Sequence, residues 1–373
     1  MKTRILAVAF LTFTVLLSQP AHAADPLLRA RYERTVRKAV AYLATSGRAA
    51  DGSYSSELGP ALTALATTAL LRHGRSPDES QVAGSLAYLQ TFVQENGGVY
   101  RPGTLYRNYE TSVAVVCFAA ANLDGRYDNT LADAKVFLTG LQWDEDEELN
   151  RSDTAYGGAG YGRHGRPDLS NTNYLIDALV AAGDEADSEA LERALLFVSR
   201  CQNLETSYNT TPFAAKINDG GFYYTPAAGG VSQADMTDGL RSYGSMTYAG
   251  LKSMIYAGVG PEDIRVRKAV EWIQKNYRLD QNPGMGAADP KKGEAGLYYY
   301  YHTFAKALAA MDLDEVKDTD GKKHDWRAEL IEVLADKQQA DGSWINSNER
   351  WLEGNPNLVT AYALLALSYC RPE

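Results

Sequence analysis

Residues 325–370 read DWRAELIEVLADKQQA, DGSW, INSNERWLEGNPNL and VTAYALLALSYC, and the contrast between the first and last of these pieces decides the fold. Asp325 to Gln339 is charged on one face and apolar on the other, as befits a helix on the outside of a bundle. Val359 to Cys370 carries no charge, so a helix there is apolar all round and must be buried all round. A Gly-rich turn ending in an aromatic follows the first of the two.

The same unit recurs along the chain. Its turns are Asp51-Gly52-Ser53-Tyr54, Gly97-Gly98-Val99-Tyr100, Gly157-Gly158-Ala159-Gly160-Tyr161, Asp219-Gly220-Gly221-Phe222-Tyr223, Gly284-Met285-Gly286 and Asp341-Gly342-Ser343-Trp344. Their spacing of roughly 45 to 65 residues suits helix-pair repeats. Amphipathic stretches such as Arg29 to Leu43, Pro77 to Gln94, Ser188 to Gln202, Pro261 to Tyr277 and Asp325 to Gln339 precede the turns and read as outer helices. Nearly charge-free stretches follow them: Ala61 to Leu71, Thr111 to Ala121, Asn171 to Ala182, Tyr243 to Ala257, Tyr298 to Met311 and Val359 to Cys370. One ring is the simplest way to bury six such helices, so the sequence predicts an all-α fold, an (α/α)6 toroid of six helix-pair repeats forming one domain over residues 24–373. Strand signals are weak, and Tyr298 to Tyr301 is read as the start of an inner helix.

Register comes from threonine. Thr63, Thr111, Thr172 and Thr247 each stand eleven residues before a helix-ending Gly74, Asn122, Gly183 or Gly258, residue types that suit a C-cap. Thr303 and Thr360 are assigned to the same slot in the last two repeats. Packing or back-bonding to the preceding turn would each explain them.

The N-terminus carries Lys2 and Arg4, an apolar run from Ile5 to Leu17 and Ala21-His22-Ala23, which together read as a signal peptide over residues 1–23. The run is too short to span a bilayer, and no cysteine follows the cleavage site, so the expected state is exported, periplasmic or extracellular, with no stable membrane anchor. The formal net charge is −10, or −12 without Lys2 and Arg4, which argues against nucleic acid as a partner. Cys117, Cys201 and Cys370 are too few for a disulfide framework, although one bridge is possible; buried small hydrophobes are the plainer reading.

Over essentially the whole mature chain the sequence resembles the prenyltransferase and squalene-cyclase repeat superfamily. Gln338-Gln339-Ala340-Asp341-Gly342-Ser343-Trp344 has the Gln-x-x-x-Gly-x-Trp spacing of the cyclases' repeat motif, and Gln94 to Tyr100 is a looser copy. In that family the motif ties outer to inner helices, so it speaks for fold rather than reaction. Tyr243 to Leu251 and Leu297 to Leu308 look like stretches of exported bacterial repeat proteins of unassigned activity. The family's zinc site needs an Asp, a Cys and a His; Tyr301-His302-Thr303 matches the His segment, but Tyr243 and Ser245 stand at the other two positions. Neither is a good zinc ligand, so no metal and no cofactor is expected. The cyclases' Asp-x-Asp-Asp acid has its nearest counterpart in Asp312-Leu313-Asp314-Glu315, which reads as a solvated loop. A third relative, the complement-type thioester domain, needs Gly-Cys-Gly-Glu-Gln, which is not present.

The residues just before the six register threonines are Leu62, Glu110, Asn171, Met246, His302 and Val359. Glu110, Asn171 and His302 are therefore expected at one level of a central cavity, beside Tyr109, Tyr243, Tyr299 and Tyr301. Glu110 and His302 could act as acid and base, or be satisfied by tyrosine hydroxyls and backbone. Asp177 and Lys252, each six residues before its glycine, are read as an inter-repeat ion pair. The function expected is an exported repeat protein whose aromatic cavity binds a small molecule, isoprenoid, glycan or peptide without the family's catalytic motifs. The alternative is an enzyme of terpene-cyclase, transferase or polysaccharide-processing type using Glu110 or His302.

Overall fold

The computed structural model describes residues 25–163, 165–234, 236 and 239–372; the signal segment falls outside them. Among the described residues twelve long helices follow one another: α1 Pro26–Ala44, α2 Ala61–Arg72, α3 Ser80–Gln90, α4 Arg107–Ala121, α5 Asp128–Thr139, α6 Leu169–Ala181, α7 Glu189–Arg200, α8 Gly244–Tyr256, α9 Ile264–Asn276, α10 Leu297–Ala310, α11 Trp326–Lys337 and α12 Pro356–Leu367. Among the described residues the only strands are a two-residue antiparallel pair, β1 Val316–Lys317 and β2 Lys323–His324.

The even-numbered helices touch in the order α2, α4, α6, α8, α10, α12 and back to α2, so the inner ring closes. The odd-numbered helices lie outside it, and α1 packs on both α11 and α12 to complete the outer ring. This is the all-α toroid expected from the apolar stretches. Every residue of α8 from Gly244 to Met254 is buried, because that helix has neighbours on all sides. Each fully buried Leu or Phe in the ring contributes roughly 1.5–3 kcal/mol.

The Gly-rich turns hold one repeat to the next. Gln142, Gln202 and Gln338 each donate through Nε2 to the carbonyl of a turn glycine (Gly157, Gly220, Gly342) and to a carbonyl on the following outer helix (Ala190, Arg265, Thr35). Gln338 thereby joins the end of the chain to α1. The register threonines face the same turns: Thr63, Thr111, Thr172, Thr247 and Thr360 accept at Oγ1 from the backbone N–H of Tyr54, Val99, Ala159, Phe222 and Trp344 at 2.9–3.2 Å. Their role is to tie each inner helix to its turn. Cys117, Cys201 and Cys370 are buried and unpaired, and burial pushes all three thiols up.

Candidate functional site

The inner helices all start at one end of the toroid, and the space between their first turns is a cavity of about 460 Å³. Two residues before each register position stand Ala61, Tyr109, Ser170, Ser245, Tyr299 and Leu358, and all six line it. That layer contains Tyr299, not Tyr301. The expected register is therefore wrong in the fifth repeat, and the reason is local. The helix there ends on Asp312 in a left-handed conformation (φ 54°), nine residues after Thr303 instead of eleven, so Tyr301 occupies the threonine slot. Accordingly Thr303 donates within its own helix, to the Tyr299 and Tyr300 carbonyls. Tyr301 turns toward the outer layer, where its hydroxyl donates to the Leu279 carbonyl at 2.6 Å.

The same two-residue slip separates His302 from the other candidates. Glu110, Asn171, Tyr109, Tyr243 and Tyr299 all line the cavity, whereas His302 lies one level deeper, in a second, smaller chamber on the ring axis. Its ring stacks on Tyr362 with centroids 5.9 Å apart. Burial, then the charges of Lys306 and Arg72, push its imidazole well below the ordinary value, so it is neutral.

Eight tyrosines line the upper cavity: Tyr106, Tyr109, Tyr161, Tyr174, Tyr224, Tyr243, Tyr299 and Tyr362. Four of the rings form a continuous set, with Tyr109–Tyr174, Tyr174–Tyr299 and Tyr299–Tyr362 centroids 5.0, 6.1 and 5.8 Å apart. Tyr174 and Tyr362, whose hydroxyls meet at 3.3 Å, make the floor. Trp351 and Leu352, about half exposed, stand at the mouth, both in left-handed backbone.

Among the described residues three buried carboxyls stand at this end of the ring, two of them, Asp168 and Glu353, on the free N–H groups of helix N-termini, which attract negative charge. Asp168 caps α6, accepting from the Asn171 backbone at 2.9 Å and from Asn171 Nδ2 at 2.8 Å. Glu110 accepts from Arg101 N and Thr104 Oγ1 at 2.8 and 3.0 Å. Glu353 accepts from the backbone N–H groups of Tyr299 and Tyr298 at the start of α10 and from Asn346 Nδ2. Glu110 and Glu353 also face the cavity. Burial raises all three against these donors: Glu110 above its ordinary value, Asp168 to about 6 and Glu353 to about 7. Asp168 and Glu353 escaped the sequence reading because each stands in a connecting loop, outside any helical period.

These shifts have a sign. Between about pH 4 and pH 7 Asp168 and Glu353 hold more proton in the folded chain than in the unfolded one, so the stability they contribute is full below about pH 4 and lost as pH rises through 6 and 7. The urea midpoint is expected to fall between pH 5 and pH 8, and to fall less in Glu353→Gln; a rising midpoint in the wild type would contradict the assignment.

Asp312 and Asp314 lie at the other end of α10, remote from the cavity. Both are exposed, and Asp314 pairs with Arg327 at 3.2 Å. Tyr243 and Ser245, at the family's zinc positions, line the upper cavity while His302 lies below it. Among the described residues no group of three His, Cys, Asp or Glu side chains is placed to hold a metal ion, and no helix is long and apolar enough to cross a membrane.

No protein-family model matches the chain, and a search of curated proteins found no match. Solved structures do resemble it. The type II terpene cyclase MstE from Scytonema, in its apo form, has a TM-score of 0.54 at 14% identity, covering 92% of this chain and 98% of that one. A variant of MstE in complex with its substrate geranylgeranyl dihydroxybenzoate has a TM-score of 0.58 at 13% identity, over 93% and 99%. A D-mannose isomerase has a TM-score of 0.51 at 13% identity, over 93% and 98%. What the chain shares with them at these identities is the fold, an all-α toroid of the terpene-cyclase type.

Proposed function

We propose that this chain is an exported toroid that binds an amphipathic small molecule of isoprenoid class in the upper cavity. The observation that carries the reading is a cavity lined by eight tyrosines, Tyr174 and Tyr362 forming its floor, with Leu58, Leu62, Met246 and Leu358 also on its wall. Such a wall takes an extended apolar body, while Asn171, Ser170 and Ser245 offer a polar end its partners. A toroid of this type holding geranylgeranyl dihydroxybenzoate supports the choice of ligand class. The N-terminal apolar segment supports export.

Native mass spectrometry of the purified protein offered geranylgeraniol and mannose separately tests this. Geranylgeraniol should be retained and mannose not; the reverse would sink the isoprenoid reading. Tyr299→Ala and Tyr243→Ala should each weaken retention about tenfold, the loss of roughly 1.4 kcal/mol of ring contact. Tyr301→Ala, which removes no cavity wall, should leave the affinity within about threefold.

Turnover is a second reading, favoured by Glu353, a carboxyl on the cavity wall whose value near 7 lets it both give and take a proton at neutral pH. Glu110 is the second carboxyl on that wall, whereas His302 is screened from a bound ligand by Tyr362. If a product is found, Glu353→Gln or Glu110→Gln should slow its formation about a hundredfold with retention unchanged. Wild-type rates in both variants would leave binding without acid catalysis.

A further inference from the structure

Below the tyrosine floor the ring axis holds a second chamber of about 30 Å³, lined by Thr68, Arg72, Asp177, His302, Lys306 and apolar side chains of the inner helices. Its level is set by the repeat. Thr68, Val116, Asp177, Lys252, Lys306 and Leu365 occupy equivalent positions, counted from the helix-ending residues and, in α12, from Thr360. Two of the six are lysines and one is an aspartate. Both lysines use the same carboxylate: Lys252 Nζ lies 2.5 Å from Asp177 Oδ1 and Lys306 Nζ 2.6 Å from Oδ2. Arg72, one turn further along α2, adds a third cation, and its guanidinium donates to the hydroxyl of Tyr369.

The charges do not balance. Asp177 is the one carboxylate among the described residues lining the chamber, against Arg72 and Lys306 on the same wall and Lys252 on the other oxygen of Asp177. Either lysine could shed a proton to ease the excess, but a guanidinium cannot. Tyr369 does not help, because burial raises its phenol and keeps it neutral. His302, 7% exposed, lines the same space, and its Nδ1 has no hydrogen-bond partner, a cost a native interior rarely carries without an occupant. The chamber is large enough for one small ion or a water, and only an anion would answer both the surplus charge and the unpartnered imidazole nitrogen.

We propose that this lower chamber binds a halide-sized inorganic anion, held by Lys306, Arg72 and the imidazole of His302 beneath the ligand cavity. The site is independent of what the upper cavity binds.

The test is to compare thermal unfolding in sodium chloride and in sodium gluconate at equal ionic strength, and to collect anomalous diffraction from crystals soaked in bromide. Chloride and bromide should each raise the unfolding midpoint by about 2–4 °C over gluconate, since an ion bound only by the folded state stabilises it. A bromide peak should stand between Lys306 and Arg72. Lys306→Met should lose most of the halide increment, and Arg72→Met provides the same test should the first variant not fold. Equal midpoints in chloride and gluconate overturn the proposal, even if bromide enters at crystal concentrations, and so does a chamber holding only water.

Discussion

Replacing Asp177 with Asn will cost this protein about 3–5 kcal/mol, the usual penalty for stranding a buried charge. The carboxylate is 7% exposed and serves two ammonium groups at once. Burial alone would raise it, but Lys252 and Lys306 outweigh burial and hold it at about 2. An amide keeps the shape and removes the charge, leaving three cations around a neutral centre. Urea unfolding at pH 7 measures the loss, and a change below about 1 kcal/mol would mean that the lysines find other partners. Replacing Arg72, Asp177, Lys252 and Lys306 together with Met, Leu, Met and Met should recover most of the stability, because apolar groups of similar volume cost little where an ion cluster is removed whole. The pH dependence follows from the lowered carboxyl: its contribution is complete above about pH 4 and disappears as pH falls toward 2.

Gly342→Ala should be strongly damaging, with a loss of more than about 2 kcal/mol. Gly342 has φ 94°, and a methyl there would overlap the Lys38 carbonyl of α1. The contact joins the last repeat to the first, so relief by moving the backbone would open the ring. Gly103 is a useful control: it has φ 79° with nothing within 4 Å of its missing methyl. Gly103→Ala should therefore cost only the conformational penalty, about 1 kcal/mol. Gln338→Ala removes the bonds to the Thr35 and Gly342 carbonyls in the same joint and should cost about 1–3 kcal/mol. Because the two residues share one closure, the double variant should lose less than the sum of the two. Equal losses for Gly103→Ala and Gly342→Ala would show that the close approach to α1 is unimportant.

The toroid was legible in the chain because its cause is local and repeated. A charge-free helix has to be surrounded, six of them have to surround one another, and each pair is announced by a Gly-rich turn. The layer containing Glu110 and Asn171 was legible for the same reason, since three residues per repeat suffice to count it. His302 and Tyr301 were misplaced because the fifth repeat ends on Asp312, and nothing in its sequence marks a non-glycine residue that will turn left-handed. Counting from that residue would also have shown Lys306 level with Asp177 and Lys252. Sequence by itself therefore determined the fold class and the ring, and it named five residues that line the upper cavity, Tyr109, Glu110, Asn171, Tyr243 and Tyr299. The tertiary structure alone decided which loop carboxyls, Asp168 and Glu353, fold back onto helix N-termini, and how Tyr174 and Tyr362 divide the axis into an aromatic chamber and a basic one. Those are contacts between distant repeats, fixed by how the closed ring packs, and helical periodicity carries no record of them.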